Sequence, residues 1–438
     1  MNEIEEIRRM FPALSCRRDG RKLIYFDNAC SVLKPQCVID AVNSWMTENG
    51  SCGGGRSSHA LSADTDELCS RARANVAEFA GAAPEEIIFT QNTTEGINIV
   101  AGSLPFFSGK DEVLLHAAGH NSLLLPFAGA AEKGLCRIKL CGTANPLCFD
   151  ENEILENITE KTALVALPLA SNVTGSAFCT DKIIRKARIA GAYVLCDAAA
   201  FLPVHCPCWK DGKNKYGGIY EHGSGNILLN SIVPDMYEMP DFIAFSGHKA
   251  GALPIGALAC RRELFHILKS PAAGGGTVAG VSFEKGKINV RHLEGYKRHE
   301  AGIQNYPGII SFGAAAAFAD MLDRRKICSH VSVLSEMLLS ELEKIPEISA
   351  VNSKNEKNTA IVSFFFKDSN ISAQDFNLYL NSASDANVCI RAGRHCAMLA
   401  HDIAGIKETV RASFYIYNME EEINIFVKLL RGFLSAAA

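Results

Sequence analysis

Long hydrophobic runs are missing from this chain of 438 residues. The most apolar stretches, such as Phe312 to Phe318, fall far short of the roughly 20 residues that span a bilayer, so no membrane association is expected. Basic runs are missing too. The 44 Lys and Arg are set against 48 Asp and Glu, for a net charge of -4, with both signs spread along the chain. That distribution excludes the electrostatic footprint of a nucleic-acid binder. The opening Met1-Asn2-Glu3-Ile4-Glu5-Glu6 is acidic with no apolar run behind it, unlike a secretory signal. A soluble, cytoplasmic protein is expected. There is no internal repeat and no low-complexity segment. Nor do the 16 cysteines form the closely spaced framework of a stapled domain, which a chain this long does not need. Most read as small buried hydrophobes in a reducing compartment; one needs a different account.

What is present is apolar content of 48%, enough for a large core in about two or three domains. From about Glu86 to Cys260, short apolar runs alternate with amphipathic stretches. Strands are predicted at Ile87 to Thr90, Glu112 to Leu115, Ala163 to Leu167, Ala192 to Cys196, Phe242 to Phe245 and Ile255 to Leu258. Helices are predicted at Thr94 to Leu104, Leu123 to Ala131 and Asp181 to Ala190. Continuous apolar strands alternating with helices mean an α/β fold with a mostly parallel sheet covered on both faces. After Gly308 the pattern becomes α+β. Long helical stretches come first, then strands at Thr359 to Phe365, Val388 to Arg391 and Thr409 to Phe414, with helices at Ala373 to Asn381 and Glu420 to Leu434. The segment from His205 to Pro240 has glycines, prolines and little periodicity, and a stretch of that kind inside a domain is usually functional.

Several residues carry chemistry. Asp197 closes an apolar strand, at the edge where open α/β sheets bind ligands. Ser246-Gly247-His248-Lys249 follows the next strand. A lysine for a Schiff base and an acid for a pyridine nitrogen are the pair that pyridoxal phosphate (PLP) requires, and Ser246 and His248 are candidates for its phosphate. Thr93-Thr94-Glu95-Gly96 joins a strand to a helix, a geometry that binds phosphate. His120 stands at a sheet edge, where a ring can stack. Each of these alone also fits a loop lysine, a helix cap or a structural histidine, and those alternatives stay open. Arg391-Ala392-Gly393-Arg394-His395-Cys396-Ala397 surrounds one cysteine with basic residues, which favours a thiolate. Arg411, inside a strand, calls for a carboxylate from the protein or a substrate. His205, Cys206, Cys208 and His222 are metal-ligating types, but their spacing is tighter than a zinc knuckle's, and no metal site is expected.

In this order the segments resemble the class V aminotransferase-fold cysteine desulfurases, specifically the SufS-like branch that includes selenocysteine lyase-type enzymes. The resemblance runs from about Tyr25 to Leu430. It rests on Tyr25-Phe26-Asp27-Asn28-Ala29 with Lys34-Pro35, Ser58-His59-Ala60-Leu61-Ser62, Thr93-Thr94-Glu95, His120, Ser171-Asn172-Val173-Thr174-Gly175, Asp197, Ser246 to Lys249, Glu300-Ala301-Gly302, the Arg391 to Ala397 loop and Arg411-Ala412-Ser413. It implies PLP-dependent transferase fold type I. A large PLP-binding domain would span 25–307, with 205–240 as an inserted segment. A small α+β domain over 308–438 would carry the Cys396 loop and take in residues 1–24.

The implied activity is an L-cysteine desulfurase that forms a Cys396 persulfide and L-alanine. Lys249 would bind the cofactor and move the substrate proton, His120 would stack on the ring, and Asp197 would pair with its nitrogen. Asn172 would lie near the ring oxygen or the substrate carboxylate. Thr94, Ser246 and His248 would bind phosphate, Arg411 would hold the carboxylate, and Cys396 would be the nucleophile. A homodimer, a sulfur-acceptor protein and iron–sulfur cluster assembly are implied as well. Departures from the family are Ala200 in place of a glutamine that touches the ring oxygen, Ile303 in place of a phosphate-binding threonine, and Met398-Leu399 in place of Gln-Pro. They keep selenocysteine cleavage, other C–S lysis and transamination open. A non-catalytic scaffold that binds a sulfur acceptor is the alternative of another class.

Overall fold

The computed structural model describes residues 3–18, 20–55, 57–103, 110–178, 180–207, 239–351, 360–382 and 386–437. Its centre is a seven-stranded sheet in the order Ile87–Thr90, Gly256–Cys260, Phe242–Ser246, Tyr193–Asp197, Thr162–Pro168, Glu112–His116, Arg137–Cys141. Gly256–Cys260 is antiparallel to both neighbours, and the other pairings are parallel. Thr162–Pro168 and Phe242–Ser246 are buried at every position, as expected for strands covered on both faces. Successive side chains point to opposite faces. Val165 and Leu167 accordingly join one apolar core while Leu164 and Ala166 join another.

The predicted strands and helices of this region are present, with ends shifted by a few residues, and residue 104 lies outside the described residues. The strand Arg137–Cys141 was not predicted. It lies at the sheet edge, mostly accessible, and its Arg-Ile-Lys-Leu-Cys pattern lacks the continuous apolar run that marks a central strand.

The second core is built on a four-stranded antiparallel sheet, Ile348–Ala350, Ile361–Phe366, Thr409–Ser413 and Arg391–Gly393. The helices Arg324–Leu342 and Glu420–Ala437 pack with it, and Ile7, Phe11, Leu14 and Ile24 share the same core. The strand predicted at Thr359 begins at Ile361, residue 359 lying outside the described residues. The run Val388 to Arg391, read as one strand, is two: Asn387–Cys389 pairs in parallel with Arg21–Tyr25, and Arg391–Gly393 pairs with Thr409–Ser413. The expected boundary at 308 falls inside the helix Tyr306–Met321. Ile309, Phe312, Ala315, Ala316 and Ala319 of that helix belong to the large-sheet core, whereas Phe318 joins the second core. The helix Tyr306–Met321 therefore contributes to both cores.

A two-stranded hairpin, Val278–Glu284 with Lys287–His292, stands apart from both sheets and exposes Val281, Phe283, Ile288 and Val290. Among the described residues, no helix is long and apolar enough to cross a membrane.

Glu300, the first residue of Glu-Ala-Gly, is a bolt on the strand Ile87–Thr90 of the large sheet. Both of its carboxylate oxygens accept from Arg73 Nη2, at 3.0 and 2.8 Å, and Oε1 also accepts from the Phe89 N–H at 2.8 Å. The Arg73 guanidinium lies over the Tyr296 ring. Removing one partner of a buried pair strands the other charge, so Glu300→Ala is expected to cost about 3–5 kcal/mol in urea unfolding. An unchanged unfolding midpoint would contradict this assignment.

Candidate active site

The C-terminal edge of the large sheet gathers the predicted residues. Tyr193–Asp197 and Phe242–Ser246 are parallel neighbours, with Asp197 opposite Ala244. The chain leaves the second strand through the short turn Gly247–Ala250, so Asp197 and Lys249 emerge on one edge, where such sheets bind ligands. Asp197 is 7% exposed and accepts from the Ala199 N–H at 3.0 Å. Burial pushes the Lys249 amine below the usual lysine range. Asp197 opposes that shift, Arg411 adds to it, and the nearby Cys30 and Cys396 also oppose it. Residues remote in sequence thus converge on one amine.

His120 caps the helix Asn121–Glu132, its Nδ1 accepting from the Ser122 N–H at 3.0 Å. Burial lowers its pKa, with Asp197 opposing and Lys249 and Arg411 reinforcing. A neutral ring whose Nδ1 is an acceptor carries its proton on Nε2.

The helix Thr93–Gly102 brings its first turn to the same edge, capped by Asn92, whose side chain accepts from the Glu95 N–H. Close packing here requires Gly256: a Cβ would lie 2.4 Å from the Asn92 carbonyl carbon. Thr94 is exposed, and its hydroxyl is 2.8 Å from that of Ser122. Ser246 is engaged with Thr93, whose N–H donates to its hydroxyl at 3.0 Å, fastening the strand end to the helix start. Burial, with Lys249 and Lys34, pushes His248 down to about 4.

Arg411 is 3% exposed. Its Nη1 donates to the Asn172 carbonyl at 2.9 Å, and its Nη2 lies 3.5 Å from Asp27 Oδ1. The carboxylate that a strand arginine requires is therefore Asp27, whose other oxygen is 3.8 Å from Arg391. Burial raises the Asp27 carboxyl, and Arg411 and Arg391 oppose the rise. Asp27 and its hydrogen-bonded neighbour Cys30 were given no role by sequence reasoning. The only signal was the place of Asp27 in the opening motif. Asn172 Nδ2 donates to the His395 carbonyl at 2.7 Å, so this residue reaches the cysteine loop.

Cys396 is exposed, and the basic setting expected around it is thinner than its sequence. Burial, with Arg411, His401 and Arg391 adding, pushes His395 down to about 2, so this ring is neutral. Arg394 is engaged by Asp402 and by the Met398 carbonyl. Among the other metal-ligating types, His205 Nδ1 lies 3.4 Å from Cys328 Sγ, and the His205 ring stacks on Phe201. Cys208 and His222 lie outside the described residues.

A sequence model of the aminotransferase class-V family matches residues 24–207 and 230–426. The chain belongs to the class-V aminotransferases. Among the curated proteins, a probable cysteine desulfurase of Borreliella burgdorferi is 31% identical over 437 residues, covering 98% of this chain and 95% of its own length. A probable cysteine desulfurase of Streptomyces coelicolor is 30% identical, covering 97% and 96%. Among solved structures, the apo cysteine desulfurase of Thermococcus onnurineus superposes with a TM-score of 0.83 at 27% identity, covering 100% of this chain and 99% of that one. A cysteine desulfurase of Escherichia coli gives a TM-score of 0.81 at 25% identity, with the same coverage. The fold is that of PLP-dependent transferases of fold type I.

Proposed function

We propose that this class-V aminotransferase is an L-cysteine desulfurase that uses PLP, moving the sulfur of L-cysteine onto Cys396 and releasing L-alanine. The observation that carries the reading is the convergence of Asp197, Arg411 and Cys396 on the half-buried Lys249 amine. The full-length similarity to proteins named cysteine desulfurases supports it.

The donor set fits the cofactor. Lys249 offers an amine, Asp197 a carboxylate and His120 a flat neutral ring. The helix start at Thr94, with Ser246 and His248, suits a phosphate, and Asn172 lies beside the site. Bound there, PLP supplies an electron sink for proton loss at the substrate Cα. Lys249 takes that proton, and its lowered pKa suits an amine acting as a base. His120, with its proton on Nε2, is placed to pass a proton on. Arg411 orients the substrate carboxylate in the place Asp27 contacts in this structure. The Cys396 thiolate attacks the substrate sulfur. An S–S bond forms, the Cβ–S bond breaks, and its electron pair returns to carbon with a proton to give alanine.

The reading includes a cytoplasmic homodimer that delivers sulfur to an acceptor protein for iron–sulfur cluster assembly. The apolar outer face of the 278–292 hairpin and the exposed Ile303 support pairing with a second copy. Cleavage of the C–Se bond of selenocysteine, or of the C–S bond of another thiol, is the second reading. It is favoured by Ala200, which lines a cavity with Lys249, Ala29 and Ser413 and offers no hydrogen bond there.

The purified protein mixed with PLP is expected to show an added absorbance band and, with L-cysteine and a reductant, to release alanine and sulfide in equal amounts. Absence of alanine from L-cysteine would overturn the proposal.

A further inference from the structure

The cysteine loop is held in an unusual backbone shape. His395 has φ 51° and Cys396 φ 55°. Side-chain-bearing residues seldom occupy this left-handed region, and two in succession persist only where their surroundings fix them. Asn172 grips the carbonyl of His395, and the Asn121 N–H donates to the carbonyl of Cys396 at 2.7 Å. The rest of the grip is made by side chains. His395 Nε2 lies 2.8 Å from Thr409 Oγ1, and His401 Nε2 lies 3.2 Å from the same oxygen. His401 Nδ1 is 2.9 Å from the Ala397 carbonyl. His395 is 9% exposed, His401 2% and Thr409 0%.

The direction of each bond follows from the chemistry. Burial lowers the pKa of both imidazoles, so each is neutral and carries one N–H. The Ala397 carbonyl only accepts, so the His401 proton sits on Nδ1 and its Nε2 is an acceptor. Thr409 must donate to that nitrogen; the Gly393 carbonyl, at 3.4 Å, is the more distant acceptor. The Thr409 oxygen then accepts from His395 Nε2–H. One hydroxyl is donor to one ring and acceptor from the other, which a methyl group cannot be.

We propose that Thr409 is a positioning residue for the Cys396 thiol: its hydroxyl ties His395, just before the cysteine, to His401, which holds the carbonyl just after it. Thr409 shares the strand Thr409–Ser413 with Arg411, and side chains two apart on a strand face the same way. Arg411 donates to Asn172, Asn172 to His395, and His395 to Thr409. This closed circuit sets the spacing between the substrate's carboxylate anchor and the thiol. The inference rests on the reading of Cys396 as the nucleophile.

Thr409→Val keeps the shape and removes the hydroxyl, and Thr409→Ser keeps the hydroxyl. Misplacing a reacting group by about an ångström costs up to about a hundredfold in rate, so Thr409→Val is expected to lower kcat for sulfide release by about 10- to 100-fold. KM for L-cysteine should stay within about twofold, because Arg411 is untouched. Thr409→Ser should restore kcat to within about threefold of the parent enzyme. In the protein without cofactor or substrate, the rate at which iodoacetamide labels Cys396, read by peptide mass spectrometry, should change in Thr409→Val and return in Thr409→Ser. If Thr409→Val is insoluble, His401→Phe cuts the Ala397 side of the tie and should show the same loss confined to kcat.

Unchanged kcat and labelling in Thr409→Val would overturn the proposal. So would equal losses in the Val and Ser variants, or a loss carried by KM, which would assign Thr409 to strand packing. Sulfide release that survives Cys396→Ala would remove the desulfurase mechanism instead, and the labelling comparison would still decide whether Thr409 places the thiol.

Discussion

Cys396→Ala is expected to leave no persulfide on the protein after incubation with L-cysteine and to lower alanine release by about a thousandfold or more, the scale on which enzymes lose rate when a nucleophile is removed. The fold should be undisturbed, because the side chain is exposed and the loop is held by backbone carbonyls and by the residues on either side. KM should change little, since the carboxylate and amine of the substrate are held elsewhere. The same variant separates cysteine cleavage from selenocysteine cleavage. Selenium leaves carbon more readily than sulfur, so selenocysteine cleavage should survive the substitution far better than cysteine cleavage. Persulfide-dependent sulfur transfer at the parent rate in Cys396→Ala would refute the proposed mechanism.

Lys249→Ala should remove the absorbance band that forms with PLP and should lower alanine release by about a thousandfold or more, within the 10²–10⁴ range of a positioned acid–base group. Lys249 is the residue on which Asp197, Arg411 and both nearby thiols act, so its loss takes away the amine and the base together. Lys249→Arg keeps a positive charge but offers neither a free amine nor a base at neutral pH, and it should be equally inactive. A Lys249→Ala protein that keeps the band and turns over L-cysteine would move the cofactor site elsewhere.

Legibility in the sequence followed burial. Thr162–Pro168, Tyr193–Asp197 and Phe242–Ser246 were readable because central strands covered on both faces are almost wholly apolar. Arg137–Cys141 was not, since half of an edge strand faces water. The splitting of Val388 to Arg391 was invisible because it depends on partners, Arg21–Tyr25 and Thr409–Ser413, that lie far away in the chain. In the site, Lys249 and Asp197 stood out by their place after apolar runs, and Arg411 announced its need for a carboxylate. Its partner Asp27 could not be found from spacing, and neither could Thr409, an ordinary strand residue until His395 and His401 are seen on either side of it. The loop Arg391 to Ala397 read as strongly basic. Burial of His395 and the engagement of Arg394 are tertiary effects that no local pattern carries.

Phe11 packs edge-on against Phe318, Tyr415 and Tyr417, and Arg8 bonds both the Tyr417 carbonyl and Glu422. On the ribosome the large sheet can assemble as its strands emerge. The second core cannot, because one wall of it precedes the large sheet in the chain and the other follows it. The segment around Phe11 must wait, uncovered, until Tyr415 and Tyr417 emerge. Contacts of such long sequence separation form slowly, so during biosynthesis this segment is where chaperone capture or misassociation between nascent chains would begin.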